Sequence, residues 1–500
     1  MRRMLKTASS RVVNHDAEQT AGLLGTSPTA SPPGLGCCCR SHFQYKVVMT
    51  FLKWVWLAVL LQRGQGLSFW RRPPASARAS DAACFLLKVS GSLCRHFHSH
   101  GILPGPQPEP LCSLRARLEA KEDVVMAGFG GSVSLAGHAN FQGFGWAFSE
   151  WFKSQYTGRV TFMNLAIGAT GPAFSSLCME GQLRGAKPDI FFIEFSINLG
   201  AAADLKRLIS TCYALGRSPV VIYVDTFTQL GHADLFAGFL NGTLDELPTL
   251  RSEPEVMPVV QAYGLTTISL GGAFRNAPVE GRQLLSSAVF ASDRHHLTAL
   301  GHLLFAELLA AYMHSRLEIS STCTGDTLPR QVMPSSLCQS YYVAEAQQPD
   351  LVFNNGNWSV DHLHGRNKIG LRPHLSDADN VGSVVAFRVV YKDPHDMLRI
   401  GLMKNGQKGL NGVALVSFDG TPIGKVDGYA NWPWNIQDFS TFRLPSHRPG
   451  QHLVSFTMLN ETHSGGHDLA LTTIAVFTST FDDQPLVTPT MECRLPSVLS

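Results

Sequence analysis

Five short, almost purely apolar runs alternate with helix-period segments between residues 121 and 316, and they narrow the fold more than any other feature of this chain. The runs are Val124 to Ala127, Val160 to Ile167, Asp189 to Phe195, Val220 to Val224 and Thr266 to Leu270. A strand that is apolar at nearly every position, not every second one, suits burial on both faces, as in a parallel sheet flanked by helices. Between the runs, Phe144, Phe148, Trp151 and Phe152 recur at helical spacing, with Gly158 as the expected stop. Leu205, Leu208, Ile209 and Cys212 form an i, i+3, i+4, i+7 stripe that Gly216 should end. A last helix, Leu297 to His314, carries Leu297, Leu300, Leu304 and Leu308 on one stripe, with Thr298 as its N-cap. The pattern predicts an α/β domain over 121–316, with a five-stranded parallel sheet between two helical layers.

After about residue 317 the period changes. Val384 to Tyr391, Leu398 to Met403, Val413 to Phe418, His452 to Leu459 and Leu469 to Phe477 read as short strands, with turn signals at Asn405-Gly406 and Asp419-Gly420. That predicts an all-β sandwich of jelly-roll type over 346–490, joined by a linker at 317–345. Trp358, Tyr429, Trp432 and Trp434 lie within it, and core packing is favoured over sugar stacking for them.

The basic excess is confined to the front of the chain. Residues 1–120 carry 15 Lys and Arg against 5 Asp and Glu, whereas 121–316 carry 13 against 16 and 317–500 carry 13 against 17. A nucleic-acid surface would be basic, so no nucleic-acid partner is expected of the folded part. Residues 1–46 read as a disordered basic leader. The apolar run 47–61 reads as a signal peptide if translation begins at Met49, or as a short signal-anchor if it begins at Met1; a plain buried helix is the bland alternative. Residues 62–120 then read as a flexible stalk. Three Asn-x-Ser/Thr sequons, at Asn241, Asn357 and Asn460, join the leader in favouring the secretory route, with the protein either secreted or membrane-anchored in the Golgi or at the cell surface. The 11 cysteines form no zinc pattern, and Cys323 and Cys338 bracket the interdomain junction at a spacing that a disulfide can close.

Chemistry concentrates at the expected strand ends, where open α/β sheets bind ligands. Ser132 follows the first strand, Gly168 the second and Asn198 the third, and Asp293 and His296 follow the fifth after a loop. The Asp-x-x-His spacing can set a carboxylate on one imidazole nitrogen and leave the other to take a proton from a serine hydroxyl. His295 and His302 raise a metal site, but adjacent His295 and His296 should point apart and no completing carboxylate or Cys pattern is apparent, so no metal is expected.

In that order, Gly130-Gly131-Ser132, Gly168, Asn198 and Asp293-x-x-His296 resemble the blocks of the SGNH hydrolases, also called the GDSL esterase/lipase family. The resemblance covers roughly 121–316. More narrowly, Gly-Gly-Ser, the run Ala166 to Gly171 and the attached β domain resemble an algal and microbial-eukaryote subgroup. It implies a Ser132–His296–Asp293 triad, and an oxyanion hole made of the Ser132 and Gly168 amides and the Asn198 side chain, with no cofactor. Gly168 should also permit a close backbone approach. Two positions depart from the family pattern: Gly131 stands where Asp usually precedes the serine, and Leu199 where Asp usually follows the asparagine. The reading is a serine esterase acting on acyl, chiefly acetyl, esters of a carbohydrate or other secreted substrate. An O-acyltransferase on glycans and an inactive glycan-binding surface protein remain the alternatives.

Overall fold

The computed structural model describes residues 84–478, apart from 88, 141, 157, 199, 229–232, 241–252, 276, 319–336, 343–346, 356–357, 364–368, 374–376, 407–410, 432–434 and 445–447. The leader, the 47–61 run, Cys37 to Cys39, Cys323, the sequons at Asn241 and Asn357, and Trp432 and Trp434 all lie outside the described residues. No described helix is long and apolar enough to cross a membrane.

In chain order the first domain runs α1 (Gly91–Gly101), β1 (Ile102–Leu103), α2 (Pro108–Glu119), β2 (Val124–Gly130), α3 (Ser132–Leu135), α4 (Phe144–Gln155), β3 (Val160–Asn164), α5 (Pro172–Leu183), β4 (Ile190–Glu194), α6 (Ala202–Leu215), β5 (Val220–Asp225), α7 (Ala233–Leu240), α8 (Glu253–Ala262), β6 (Thr266–Ser269), α9 (Leu270–Arg275), α10 (Val279–Leu284) and α11 (Ala299–Glu318). The sheet order is β1-β6-β5-β4-β2-β3. Strands β2 to β6 are mutually parallel, as their apolar texture implies. β4 and β5 are buried at every position. Alternate residues of β4 feed opposite layers: Ile190 and Phe192 pack with Phe148, Trp151 and Leu308, whereas Phe191 and Ile193 pack with Leu205, Leu208 and Ile209.

Two expectations need correction. The sheet has a sixth strand, because β1 pairs antiparallel with β6 through Ile102 to Ile268 and Leu103 to Thr267. The expected stalk at 62–120 is, from Cys84 on, part of the α/β domain. Buried Glu307 on α11 accepts the backbone N–H groups of Phe85, Leu86 and Leu87 and pairs with His98 Nε2 at 2.8 Å. A Cys84–Cys94 disulfide closes the same corner. The Pro-, Ser- and Arg-rich composition concealed this tether, which depends on a carboxylate some 220 residues away in the chain.

The second domain comprises β7 (Leu337–Ser340), β8 (Asp350–Asn354), β9 (Trp358–His362), β10 (Ile369–Pro373), β11 (Val384–Tyr391), β12 (Asp396–Lys404), β13 (Val413–Phe418), β14 (Thr421–Asp427), β15 (Ile436–Arg443), β16 (Gly450–Met458) and β17 (Ala470–Thr478). One sheet runs β15-β12-β17-β10-β9, with β7 also on β17; the other runs β14-β13-β16-β11-β8. Their inner faces share a core of Phe387, Leu398, Ile400, Val416, Phe456 and Ile474. The Asp419-Gly420 turn has φ of 48° and 78°, the paired positive values of a two-residue hairpin. Asn405-Gly406 leads between the two sheets and makes no such hairpin. The expected linker at 317–345 contains β7. Cys338 on that strand bonds Cys178 of α5, not Cys323. Trp358 is buried at 3% exposure, so it packs in the core and presents no sugar-stacking face.

The sandwich lies along α5 and α6. Phe174, Leu177 and Cys178 of α5 share a buried cluster with Tyr342, Met403 and Phe477 of the sandwich. Arg399 pairs with Asp204 of α6, and the Arg207 guanidinium lies 4.0 Å from the centroid of the Phe477 ring.

Candidate active site at the sheet's switch point

Successive connections leave to opposite sides of the sheet between β2 and β4, which is where ligands bind in open α/β folds. Ser132 stands two residues beyond the end of β2, as the first residue of α3, and is half-buried. A cleft of about 170 Å³ is lined by Gly131, Ser132, Val133, Glu194, Phe195, Ile197, Asn198 and His295. Gly168 adjoins it, since a Cβ built there would lie 3.7 Å from Ser132 Cβ. That is ordinary contact, so the protein's own atoms do not impose the steric need expected for glycine at 168. The need lies instead at Gly131, where a Cβ would fall 2.4 Å from Asn198 Nδ2. The departure at Gly131 is thus matched to the asparagine beside it. Asn198 Nδ2 carries two hydrogens, one of which goes to the Thr170 carbonyl at 3.2 Å.

Asp293 and His296 form a closed pair. Asp293 Oδ1 accepts the backbone N–H groups of His295 and His296, each at 3.0 Å, and Oδ2 accepts a hydrogen bond from His296 Nδ1 at 2.6 Å. Partial burial pushes the Asp293 carboxyl up, but the His296 backbone N–H, its imidazole and the His295 N–H outweigh this and hold it at about 2. A carboxylate on Nδ1 assigns the proton there and leaves Nε2 as an acceptor. His295 meets His296 nearly at right angles, with centroids 4.7 Å apart, and its Nδ1 bonds Thr228 Oγ1 at 3.0 Å. His295 therefore lines the serine's cleft with His296 directly beside it. Burial, then the neighbouring His296, lowers the His295 imidazole to about 4. His302 is buried against Phe144, and burial, then His296, lowers it to about 4.

Sequence reasoning missed two residues here. His138 stacks on His296 at 4.6 Å, and its Nε2 lies 3.4 Å from Asp293 Oδ2. His138, Asp293 and His296 thus bring three ligand-type atoms within 4.8 Å, so a carboxylate does join a pair of histidines; His295 and His302 are not of that group. The Cys84, Cys94, His98 and Glu307 cluster has both thiols committed to a disulfide. The second missed residue is Glu194, the last of β4 and 2% exposed. Its carboxyl accepts the hydroxyls of Ser134 and Thr226 at 3.0 Å and of Ser196 at 3.3 Å. Burial pushes it up to about 7, against the pull of those hydroxyls. No local spacing links His138 to residue 293. Glu194 gave only a weak signal, as a single acid in an otherwise apolar strand.

No protein-family model and no curated protein matches the chain. Solved structures do. A two-domain esterase (CEX) active on acetylated mannans is 18% identical, with a TM-score of 0.56 over 76% of this chain and 98% of that one. The two domains together share its fold. The same esterase co-crystallised with mannopentaose matches at 16% identity and a TM-score of 0.53, over 76% of this chain and 99% of that one. A lipase/acylhydrolase from Enterococcus faecalis is 16% identical and covers 40% of this chain and all of its own, at a TM-score of 0.30.

Proposed function

We propose that the chain is a serine esterase that removes short acyl groups, acetyl above all, from a carbohydrate. The observation that carries this reading is the Asp293–His296 pair, closed at 2.6 Å beside the cleft that Ser132 and Asn198 line. Ser132 Oγ attacks the ester carbonyl carbon while His296 Nε2 takes its proton. Asp293 keeps the ring oriented and stabilises the imidazolium. The negative charge that develops on the carbonyl oxygen meets the Ser132 and Gly168 amides and the Asn198 NH₂. Collapse breaks the C–O bond, and His296 returns the proton to the departing sugar oxygen. Water, activated by the same imidazole, then frees the carboxylic acid and restores Ser132. The chemistry requires no cofactor.

The carbohydrate is supported by the likeness of both domains to an esterase active on acetylated mannans. We also propose the secretory route, which the Cys84–Cys94 and Cys178–Cys338 disulfides support, because such bonds persist in oxidising compartments. The test is Ser132→Ala. It should fold, lose hydrolysis of p-nitrophenyl acetate by at least about 10³-fold and escape fluorophosphonate labelling. Wild-type turnover in that variant would sink the proposal.

A further inference from the structure

The loop that bears Gly168 has each of its four carbonyl oxygens anchored. The Ile167 oxygen accepts the Thr170 N–H at 3.3 Å and the Thr170 hydroxyl at 2.8 Å. The Gly168 oxygen accepts the Tyr342 hydroxyl at 2.7 Å. The Ala169 oxygen accepts the Gln437 backbone N–H at 2.8 Å, and the Thr170 oxygen accepts Asn198 Nδ2 at 3.2 Å. Tyr342 and Gln437 belong to the sandwich, so the second domain supplies the anchors of the two middle carbonyls. In a planar trans peptide the N–H points opposite to the C=O, so the Gly168 N–H is aimed by the Ile167 oxygen, which Thr170 holds; the Thr170 N–H is in turn aimed by the Ala169 oxygen, which Gln437 of the sandwich holds, while Tyr342 fixes the neighbouring peptide through the carbonyl of Gly168 itself. Between the two sandwich contacts lies Ala169 at φ 64°, a left-handed backbone that an L residue keeps only where its surroundings impose it.

The sandwich donors are themselves held. The Tyr342 ring meets Phe174 of α5 edge-on, with centroids 6.1 Å apart, and its own N–H bonds Ser340 Oγ at 3.1 Å. Gln437 Nε2 bonds the hydroxyls of Thr472 at 2.8 Å and Thr473 at 3.0 Å. The Cys178–Cys338 disulfide ties α5, which begins two residues after Thr170, to β7, which ends two residues before Tyr342.

We propose that the β-sandwich holds the oxyanion loop in its working shape, with Tyr342 as a positioning residue for Gly168. The proposal rests on the esterase reading above. The sandwich is then part of the catalytic apparatus, and not simply an appended module. A contact that only glues two domains contributes to stability alone, whereas one that aims a donor at the transition state contributes to turnover.

Tyr342→Phe removes one hydroxyl and keeps the ring. Turnover of p-nitrophenyl acetate should fall by about tenfold or more with KM within about twofold, less than the loss on deleting an oxyanion donor outright. Phe174→Leu keeps the hydroxyl but removes the ring that seats it; it is the second variant should Tyr342→Phe fail to fold, and it should show a smaller loss in kcat alone. Cys178→Ala/Cys338→Ala is the contrast: it cuts a tie at the same interface and leaves both loop hydrogen bonds in place, so it should lower the melting temperature and cost less kcat than Tyr342→Phe. A folded Tyr342→Phe protein with wild-type kcat overturns the proposal, as does a variant whose only change is in melting temperature. Activity surviving in Ser132→Ala would instead overturn the esterase reading, so the two failures are distinguishable.

Discussion

Glu194 and Asp293 carry the same functional group, and their surroundings drive them in opposite directions. Asp293 is 37% exposed and gathers donors at both oxygens, so it stays ionised. Glu194 is 2% exposed, and burial pushes it up from 4.5 to about 7 against three hydroxyls and the Ser134 backbone N–H. Between those two values the unfolded chain gives up this proton while the folded chain keeps it. The carboxyl's contribution to stability is therefore whole below about pH 4.5, declines as pH rises to about 7 and is lost above that. Glu194→Gln has no such proton, and the surrounding hydroxyls can reverse to serve an amide. We expect the wild type minus variant difference in urea-unfolding free energy to fall between pH 5 and 7 and to level off by pH 8. Parallel curves for the two proteins would count against a shifted carboxyl. His138 and Glu194 escaped sequence reasoning for the same reason: each acquires its role from partners dozens of residues away, and neither has a spacing that announces it.

The strand-to-helix turn after β2 shows how an element places chemistry. Gly131 is its N-cap in extended conformation, and the space a side chain would take there is filled by the Asn198 amide. On the proposed esterase reading, Gly131→Ala should fold, displace that amide and lower kcat by about 10²-fold with little change in KM, the cost of losing one oxyanion donor. A crystal structure of the variant with Asn198 unmoved, or wild-type turnover, would contradict this. The parallel strands were legible because burial on both faces leaves an apolar signature at every position. The Thr298 cap was legible too: its Oγ1 accepts the Gly301 N–H at 3.3 Å. Gly216 does end α6, but at ψ 174° and not in a left-handed turn; a Cβ there would lie 2.6 Å from Pro219 Cγ. β1 was not legible, because two residues have no period, and α1 and α2 were masked by a composition that reads as stalk.

At the scale of the whole molecule, the two domains are joined by a disulfide, a buried ion pair and a shared apolar cluster. Arg399 and Asp204 have side chains only 10% and 9% exposed. Breaking such a pair from one side leaves a buried charge without its partner, at a cost of about 3–5 kcal/mol. Thr441 Oγ1 still accepts from Arg399 Nε at 3.0 Å, so Asp204→Asn should fall at the lower end of that range in urea denaturation. A loss too small to detect would mean that water already reaches the pair.

By itself, the sequence determined the layers, the parallel and antiparallel textures, and the order Ser132, Gly168, Asn198, Asp293, His296, because burial and local spacing leave a periodic trace in the residues that experience them. Only the tertiary structure decided that the first described residues close the α/β domain, that Cys338 bonds Cys178, that His138 stacks on His296, that Glu194 lines the cleft and that Tyr342 reaches the Gly168 carbonyl. Each of these depends on which distant segments the strand order and domain packing bring together, and contacts of that kind have no period along the chain.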